Sequence, residues 1–218
     1  MSQLTHTTTP DDPARGIEPT KRDFIFIMTG AIAIGGAATV AWPLVDQMEP
    51  SSDALALGSP VTVDLSKVAP GQQIVLLWRK NPMFIVRRTP ANLAELRKQS
   101  TLDLLRDPNS DSMQQPPYAK NWSRSIRPEY LLLVGVCTHL GCIPNYRPGL
   151  GEVDASWPGG WLCPCHGSKY DLAGRVFKGV PAPLNLPVPP YHFASDTSLV
   201  IGANPPDETF SMAQIETI

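Results

Sequence analysis

From Phe24 to Val45 the chain runs 22 residues, FIFIMTGAIAIGGAATVAWPLV, without a charged side chain. As a helix rising about 1.5 Å per residue, such a run spans roughly 33 Å, enough to cross a bilayer. A helix buried in a soluble core normally keeps a polar face. Here the only polar side chains are two threonines and the Trp42 indole, so the pattern predicts a transmembrane anchor over residues 24–45. Arg15, Lys21 and Arg22 precede the run, Asp46, Glu49 and Asp53 follow it, and the next cation is Lys67. Positive flanks stay on the cytoplasmic side, which predicts a cytoplasmic N-terminal segment, residues 1–23, on a bacterial inner membrane with everything after Val45 in the periplasm.

Beyond the anchor the hydrophobic period changes. Residues 46–59, DQMEPSSDALALGS, are small and polar and read as a flexible hinge, which fully extended reaches roughly 45 to 50 Å. A plain spacer, or a short helix through Asp53 to Leu57, suits the same residues. Apolar runs of strand length follow at Val61–Val63, Ile74–Trp78, Met83–Val86 and Tyr130–Val136, the second and third separated by a turn at Lys80-Asn81-Pro82. Later candidates are Gly151–Ala155, Gly174–Lys178 and His192–Ile201. One helix interrupts them: Thr89 caps it, Pro90 suits its first turn, and Leu93, Leu96 and Leu104 mark its apolar face. Residues 107–128 lack a core pattern and predict a long exposed loop, either plain surface or a contact with another subunit. The expectation for residues 60–218 is a single, mainly β body of antiparallel sheets.

Composition adds little to the fold and narrows the function. The 24 prolines sit largely in short clusters between apolar runs, favouring loops and short strands over long helices. With 18 basic and 20 acidic residues the formal charge is −2, and no basic helix appears, which argues against nucleic acid as a partner. Lys21-Arg22-Asp23-Phe24 is similar to a twin-arginine export signal, with lysine in place of the first arginine. Ala54-Leu55-Ala56 could mimic a signal-peptidase site, but it lies nine residues beyond the apolar run, so the expectation is an uncleaved anchor.

All four cysteines, Cys137, Cys142, Cys163 and Cys165, fall within 29 residues, in a chain long enough to fold without disulfide staples. They lie in two short loops, Cys137-Thr138-His139-Leu140-Gly141-Cys142 and Cys163-Pro164-Cys165-His166-Gly167-Ser168, with 20 residues between them. Each loop offers a thiolate, an imidazole and a second sulfur. Cys137, His139, Cys163 and His166 alone would make a Cys₂His₂ structural zinc set. Against zinc stand the tight Cys-x-His spacing and the two unused cysteines. Four cysteines around one cluster, with both histidines as spectators, is a further partition that counting leaves open.

CTHLGC followed by CPCHGS resembles the paired binding loops of Rieske proteins, specifically the disulfide-containing group of respiratory cytochrome bc complexes. GVPAPLNLPVPPYHF, from Gly179 to Phe193, is similar to that family's proline-rich segment over the cluster. The resemblance implies an antiparallel β-sandwich with a small cluster-binding subdomain, residues 136–190, one inserted helix and one [2Fe-2S] cluster. It also implies that Cys137 and Cys163 bind one iron, His139 and His166 the other, and that Cys142 is bridged to Cys165. Ser168 and Tyr170 resemble the family's hydrogen-bond donors to a bridging sulfide and to the Cys137 sulfur, contacts that raise the reduction potential. His166, or by the symmetry of the loops His139, would exchange a proton with quinol. Leu140 reads as an apolar docking tip or, equally simply, as a leucine packed beneath the cluster. The implied partners are a cytochrome b, a membrane-bound c-type cytochrome, quinol and membrane lipid, in a dimeric quinol:cytochrome c reductase whose activity belongs to the complex. A Rieske small subunit of a periplasmic oxidoreductase such as arsenite oxidase shares the loops, and a structural zinc protein is the remaining alternative. His6, in a polar tail, and His192, near the last strand, carry no special role.

Overall fold

The computed structural model describes residues 20–49 and 58–216, and the chain divides into two compact units, Met1–Ser51 and Ser52–Ile218. His6 and the Ala54-Leu55-Ala56 site lie outside the described residues, as does most of the expected hinge.

In the first unit, helix α1 spans Lys21–Asp46. It begins before the apolar run because Thr20 and Asp23 form a reciprocal cap: the Asp23 N–H donates to Thr20 Oγ1 at 3.3 Å, and the Thr20 N–H donates to Asp23 Oδ2 at 2.9 Å. The Asp23 carboxylate also meets the positive end of the helix. Asp46, expected in the hinge, is the last helical residue. No residue of α1 is buried, and its length and composition suffice to cross a membrane.

Among the described residues of the second unit there are nine strands: β1 (Val61–Asp64), β2 (Gln73–Trp78), β3 (Asn81–Arg87), β4 (Tyr130–Val134), β5 (Asn145–Arg147), β6 (Gly160–Leu162), β7 (Lys169–Asp171), β8 (Tyr191–Phe193) and β9 (Ser198–Ile201). They form three antiparallel three-stranded sheets in the orders β1-β9-β8, β2-β3-β4 and β5-β6-β7. β3 and β4 read as near-continuous apolar runs because Met83 to Val86, and all of β4, are buried. The β2–β3 turn is Arg79-Lys80, both with positive φ (50° and 64°), as a two-residue hairpin requires. Asn81 and Pro82, read above as part of that turn, are already strand. Pro82 pairs with Leu77, and its carbonyl accepts the Gly135 N–H at 2.7 Å.

Four sequence expectations change. Gly151–Ala155 is a run of turns and bends, and within Gly174–Lys178 only Val176 and Phe177 make isolated bridges, to Tyr170 and Leu105. His192–Ile201 splits into β8 and β9, with Asp196 and Thr197 in the connection between them. The capped helix, α2 (Pro90–Glu95), carries the expected Thr89 cap but is followed by a second short helix, α3 (Gln99–Leu102). Leu93 and Leu96 pack with Leu172 and Ala173, whereas Leu104 lies past α3 beside Leu105, Trp157 and Phe177.

The largest correction concerns residues 107–128. Instead of an exposed loop, this segment places Ser110, Gln114, Gln115, Ser123, Arg124 and Ser125 at 0–2% exposure. Their polar groups are satisfied inside the fold. Gln115 Nε2 donates to the Ser110 carbonyl at 2.8 Å, and Arg124 Nη1 donates to the Ala173 carbonyl at 3.0 Å.

Candidate metal centre

β4 leaves the core through Gly135 and Val136 into the first Cys–His loop, and β6 runs directly into the second, which returns as β7. The two loops close by one shared pattern. In the first, the Cys137 N–H donates to the Cys142 carbonyl at 2.8 Å and the Gly141 N–H to the Cys137 carbonyl at 3.0 Å. In the second, the Cys163 N–H donates to the Ser168 carbonyl at 2.8 Å and the Gly167 N–H to the Cys163 carbonyl at 3.0 Å. Both glycines have positive φ, 81° and 72°, a conformation that strains any other residue. β6 sets the base of the second loop: Gly160 is so close to β7 that a Cβ there would collide with the Tyr170 carbonyl oxygen. Trp161 beside it stacks on Phe84 and donates its indole N–H to Gln73 Oε1 at 2.7 Å, fixing the small sheet to β2 and β3.

Cys142 and Cys165 form a disulfide across the loops, with Cα atoms 6.6 Å apart. Their sulfurs lie within 4.8 Å of that of Cys163, yet a disulfide sulfur carries no thiolate, so the four-cysteine partition fails. Cys137 and Cys163 remain as free thiols, each 2% exposed and rooted in the main core. Burial, and then the neighbouring Cys137, push the Cys163 thiol above its ordinary value. Two adjacent buried sulfurs therefore hold thiolate charge only beside a cation.

The two imidazoles face each other edge to face, ring centroids 4.7 Å apart and interplanar angle 86°. Nδ1 of His139 is buried without a hydrogen-bond partner among the described residues. An acceptor in that position, beside two free thiols, fits a metal ligand better than a packing residue. His166 is exposed, as are Leu140 at 72% and Ile143 at 55%.

Around the thiols, hydrogen bonds allot the available protons. Tyr170 Oη lies 3.1 Å from Cys137 Sγ and accepts the Thr138 N–H at 3.2 Å. The Thr138 hydroxyl donates to the Leu184 carbonyl at 2.7 Å, which leaves the phenol proton two acceptors, the Cys137 sulfur at 3.1 Å and the Thr138 oxygen at 3.2 Å. Burial and the Cys137 contact raise the Tyr170 pKa, which keeps that proton in place. Ser168 is fully buried and its oxygen accepts the Ala182 N–H at 3.1 Å, which leaves its own proton to donate. Thr138 was not singled out from the sequence, although its place between Cys137 and His139 was a signal. Through Leu184 it ties the first loop to the proline-rich segment. His192 stands apart, 3.3 Å from the Ala203 carbonyl.

Comparison with known proteins gives two family matches: the Ubiquitinol-cytochrome C reductase Fe-S subunit TAT signal over residues 12–51, and the Rieske [2Fe-2S] domain over residues 118–190. The ubiquinol-cytochrome c reductase iron-sulfur subunit of Allochromatium vinosum is 46% identical over 191 residues, covering 87% of this chain and 91% of its own. The subunit of the same name from Bradyrhizobium diazoefficiens is 44% identical over 184 residues, 84% of this chain and 95% of that one. That of Rhodospirillum rubrum is 44% identical over 204 residues, covering 93% of this chain and 100% of the relative.

Proposed function

We propose, since the chain belongs to the family of ubiquinol-cytochrome c reductase iron-sulfur subunits, that it carries electrons from ubiquinol to a membrane-bound c-type cytochrome, with cytochrome b completing the quinol site. It is a Rieske-type [2Fe-2S] subunit of an oxidoreductase complex, which sets aside the zinc and arsenite-oxidase readings. The single observation that carries the proposal is the pairing of two buried free thiols with two facing imidazoles across a disulfide-clasped pair of loops.

Cys137 and Cys163 would hold one iron, and His139 and His166 the other, with the unpartnered His139 Nδ1 as one donor atom. When bound, the cluster supplies one-electron chemistry, at roughly −150 to +300 mV for His-ligated centres. The chain's own residues do the rest. Tyr170 directs its proton to the Cys137 sulfur and Ser168 keeps a free proton for a second sulfur, and each contact favours the more negative, reduced state. His166, exposed, presents its remaining ring nitrogen to the quinol hydroxyl and holds the departing proton there. Leu140 and Ile143 enter an apolar cleft of the partner. The apolar helix fits a membrane-anchored subunit, and we assign its charged start to the cytoplasm and residues 60–218 to the periplasm of a bacterium, within a dimeric complex.

Redox-poised electron paramagnetic resonance on membranes containing the chain tests this. A Rieske-type signal that responds to quinone-site inhibitors is expected. A membrane with the full-length chain and no such signal on reduction overturns the proposal.

A further inference from the structure

Among the described residues only four charged side chains are fully buried: Arg88, Arg124, Arg175 and Asp171. All four meet at one turn, residues 171–175, directly after Tyr170. Arg88 Nη1 donates to the Leu172 carbonyl at 3.1 Å. Arg124 Nη1 donates to the carbonyls of Ala173 and Gly174 at 3.0 and 3.2 Å. Arg175 closes the turn on the Asp171 carboxylate, Nε to Oδ2 at 2.8 Å, while Asp171 Oδ1 accepts the Ala173 and Arg175 N–H groups at 2.9 and 2.8 Å.

Against three buried guanidiniums stands one buried carboxylate, and it pairs with Arg175 alone among the described residues. Arg88 and Arg124 are neutralised by nothing buried. Their remaining protons go to neutral oxygens: those of Arg88 to Ser123, Pro128 and Ser125, those of Arg124 to Gln114 and the Gln115 amide. Asp107, the next acid in reach, is half-buried at the edge and occupied by the Asp111 and Ser112 N–H groups. Burial lowers Arg88 to about 10 and Arg124 to about 9, so both keep their charge at neutral pH. A fold that needed only hydrogen bonds to these carbonyls would meet them with neutral donors, since an unpaired buried charge is costly to desolvate.

We propose that Arg88 and Arg124, fixed on the turn that follows Tyr170, act as a positive field that raises the reduction potential of the metal centre. The charge gives the sign and the chain gives the connection: the turn they hold directly follows Tyr170, whose hydroxyl lies 3.1 Å from the Cys137 sulfur. Reduction adds a negative charge at the centre, and a buried cation nearby stabilises that state through a low-dielectric interior. The proposal rests on the [2Fe-2S] reading above, and the two fail separately: absence of the signal overturns that reading, whereas a signal whose midpoint ignores these charges overturns this one.

The test compares full-length Arg124→Gln, Arg124→Lys and Gln115→Glu by redox-poised spectroscopy in membranes, alongside thermal unfolding of each. Arg124→Gln removes the charge and Arg124→Lys keeps it, while both lose hydrogen bonds to the turn. Gln115→Glu sets a carboxylate where the Gln115 oxygen now accepts Arg124 Nε and Nη2 at 3.1 and 2.9 Å, neutralising that charge while giving up the Nε2 donations to the Ser110 and Ser112 carbonyls, a loss the unfolding measurement reads. The expected result is a downward midpoint shift in Arg124→Gln and Gln115→Glu, read as a severalfold smaller reduced fraction at one fixed ambient potential, with Arg124→Lys close to the parent. Equal midpoints in all three, or an equal shift in Arg124→Gln and Arg124→Lys, would show a scaffold role only. If Arg124→Gln fails to fold, Gln115→Glu against Arg124→Lys decides alone.

Discussion

Ser168 has one proton and one accepted hydrogen bond, and burial leaves it no water to exchange either with. Its oxygen takes the Ala182 N–H, so its hydroxyl proton must be spent toward the loops. Ser168→Ala is expected to lower the midpoint potential with the cluster still assembled, and to cost about 1 to 3 kcal/mol because the Ala182 N–H is left unpaired. An unchanged midpoint in spectroelectrochemical titration removes Ser168 from the tuning role. Tyr170 makes a pH prediction of definite sign. Its folded pKa is raised, so above the ordinary tyrosine value of about 10 the unfolded chain releases the proton while the folded chain keeps it. The stability that Tyr170 contributes is therefore complete below that pH and declines as pH rises beyond it. Denaturant titrations between neutral and strongly alkaline pH should show a steeper loss for the parent than for Tyr170→Phe.

Between elements, the disulfide is the one covalent tie across the two loops. It closes a separation of 23 residues, for which chain entropy predicts roughly 3 kcal/mol. Cys142→Ala with Cys165→Ala should therefore lower the melting temperature and speed loss of the visible iron–sulfur absorbance on incubation with chelator. Equal retention in both proteins would mean that the backbone closures suffice. The loops were legible in the sequence because their donors lie within six residues of one another, and the apolar runs around Ile74, Phe84 and Leu132 were legible for the same local reason. The β5-β6-β7 sheet was not: strands such as Asn145–Arg147 are too short to display a period. Residues 107–128 misled for a different cause. Polarity in a sequence implies exposure only while partners are unknown, and the partner of Arg124 lies 49 residues away at Ala173. Nor does hydropathy reveal that Gly174 is obligatory, where a Cβ would come within 2.7 Å of Leu133 and φ is +72°.

For the whole molecule, we propose that the folded body carries its electron by moving from cytochrome b to the c-type cytochrome, with residues 46–59 as the hinge between it and the helical unit. Shortening this stretch or filling it with proline should slow reduction of the c-type cytochrome in flash or stopped-flow kinetics while leaving the Rieske-type signal intact. Unimpaired turnover with a rigid stretch would count against movement of the body. The two thiols sit 2% exposed in the core, whereas His166 and Leu140 are on the surface. Of the four expected ligands His166 is the most exposed. On the proposed function, donor and acceptor would both reach the centre through it, so each would shut out the other, and an electron just accepted would leave only after its source has let go.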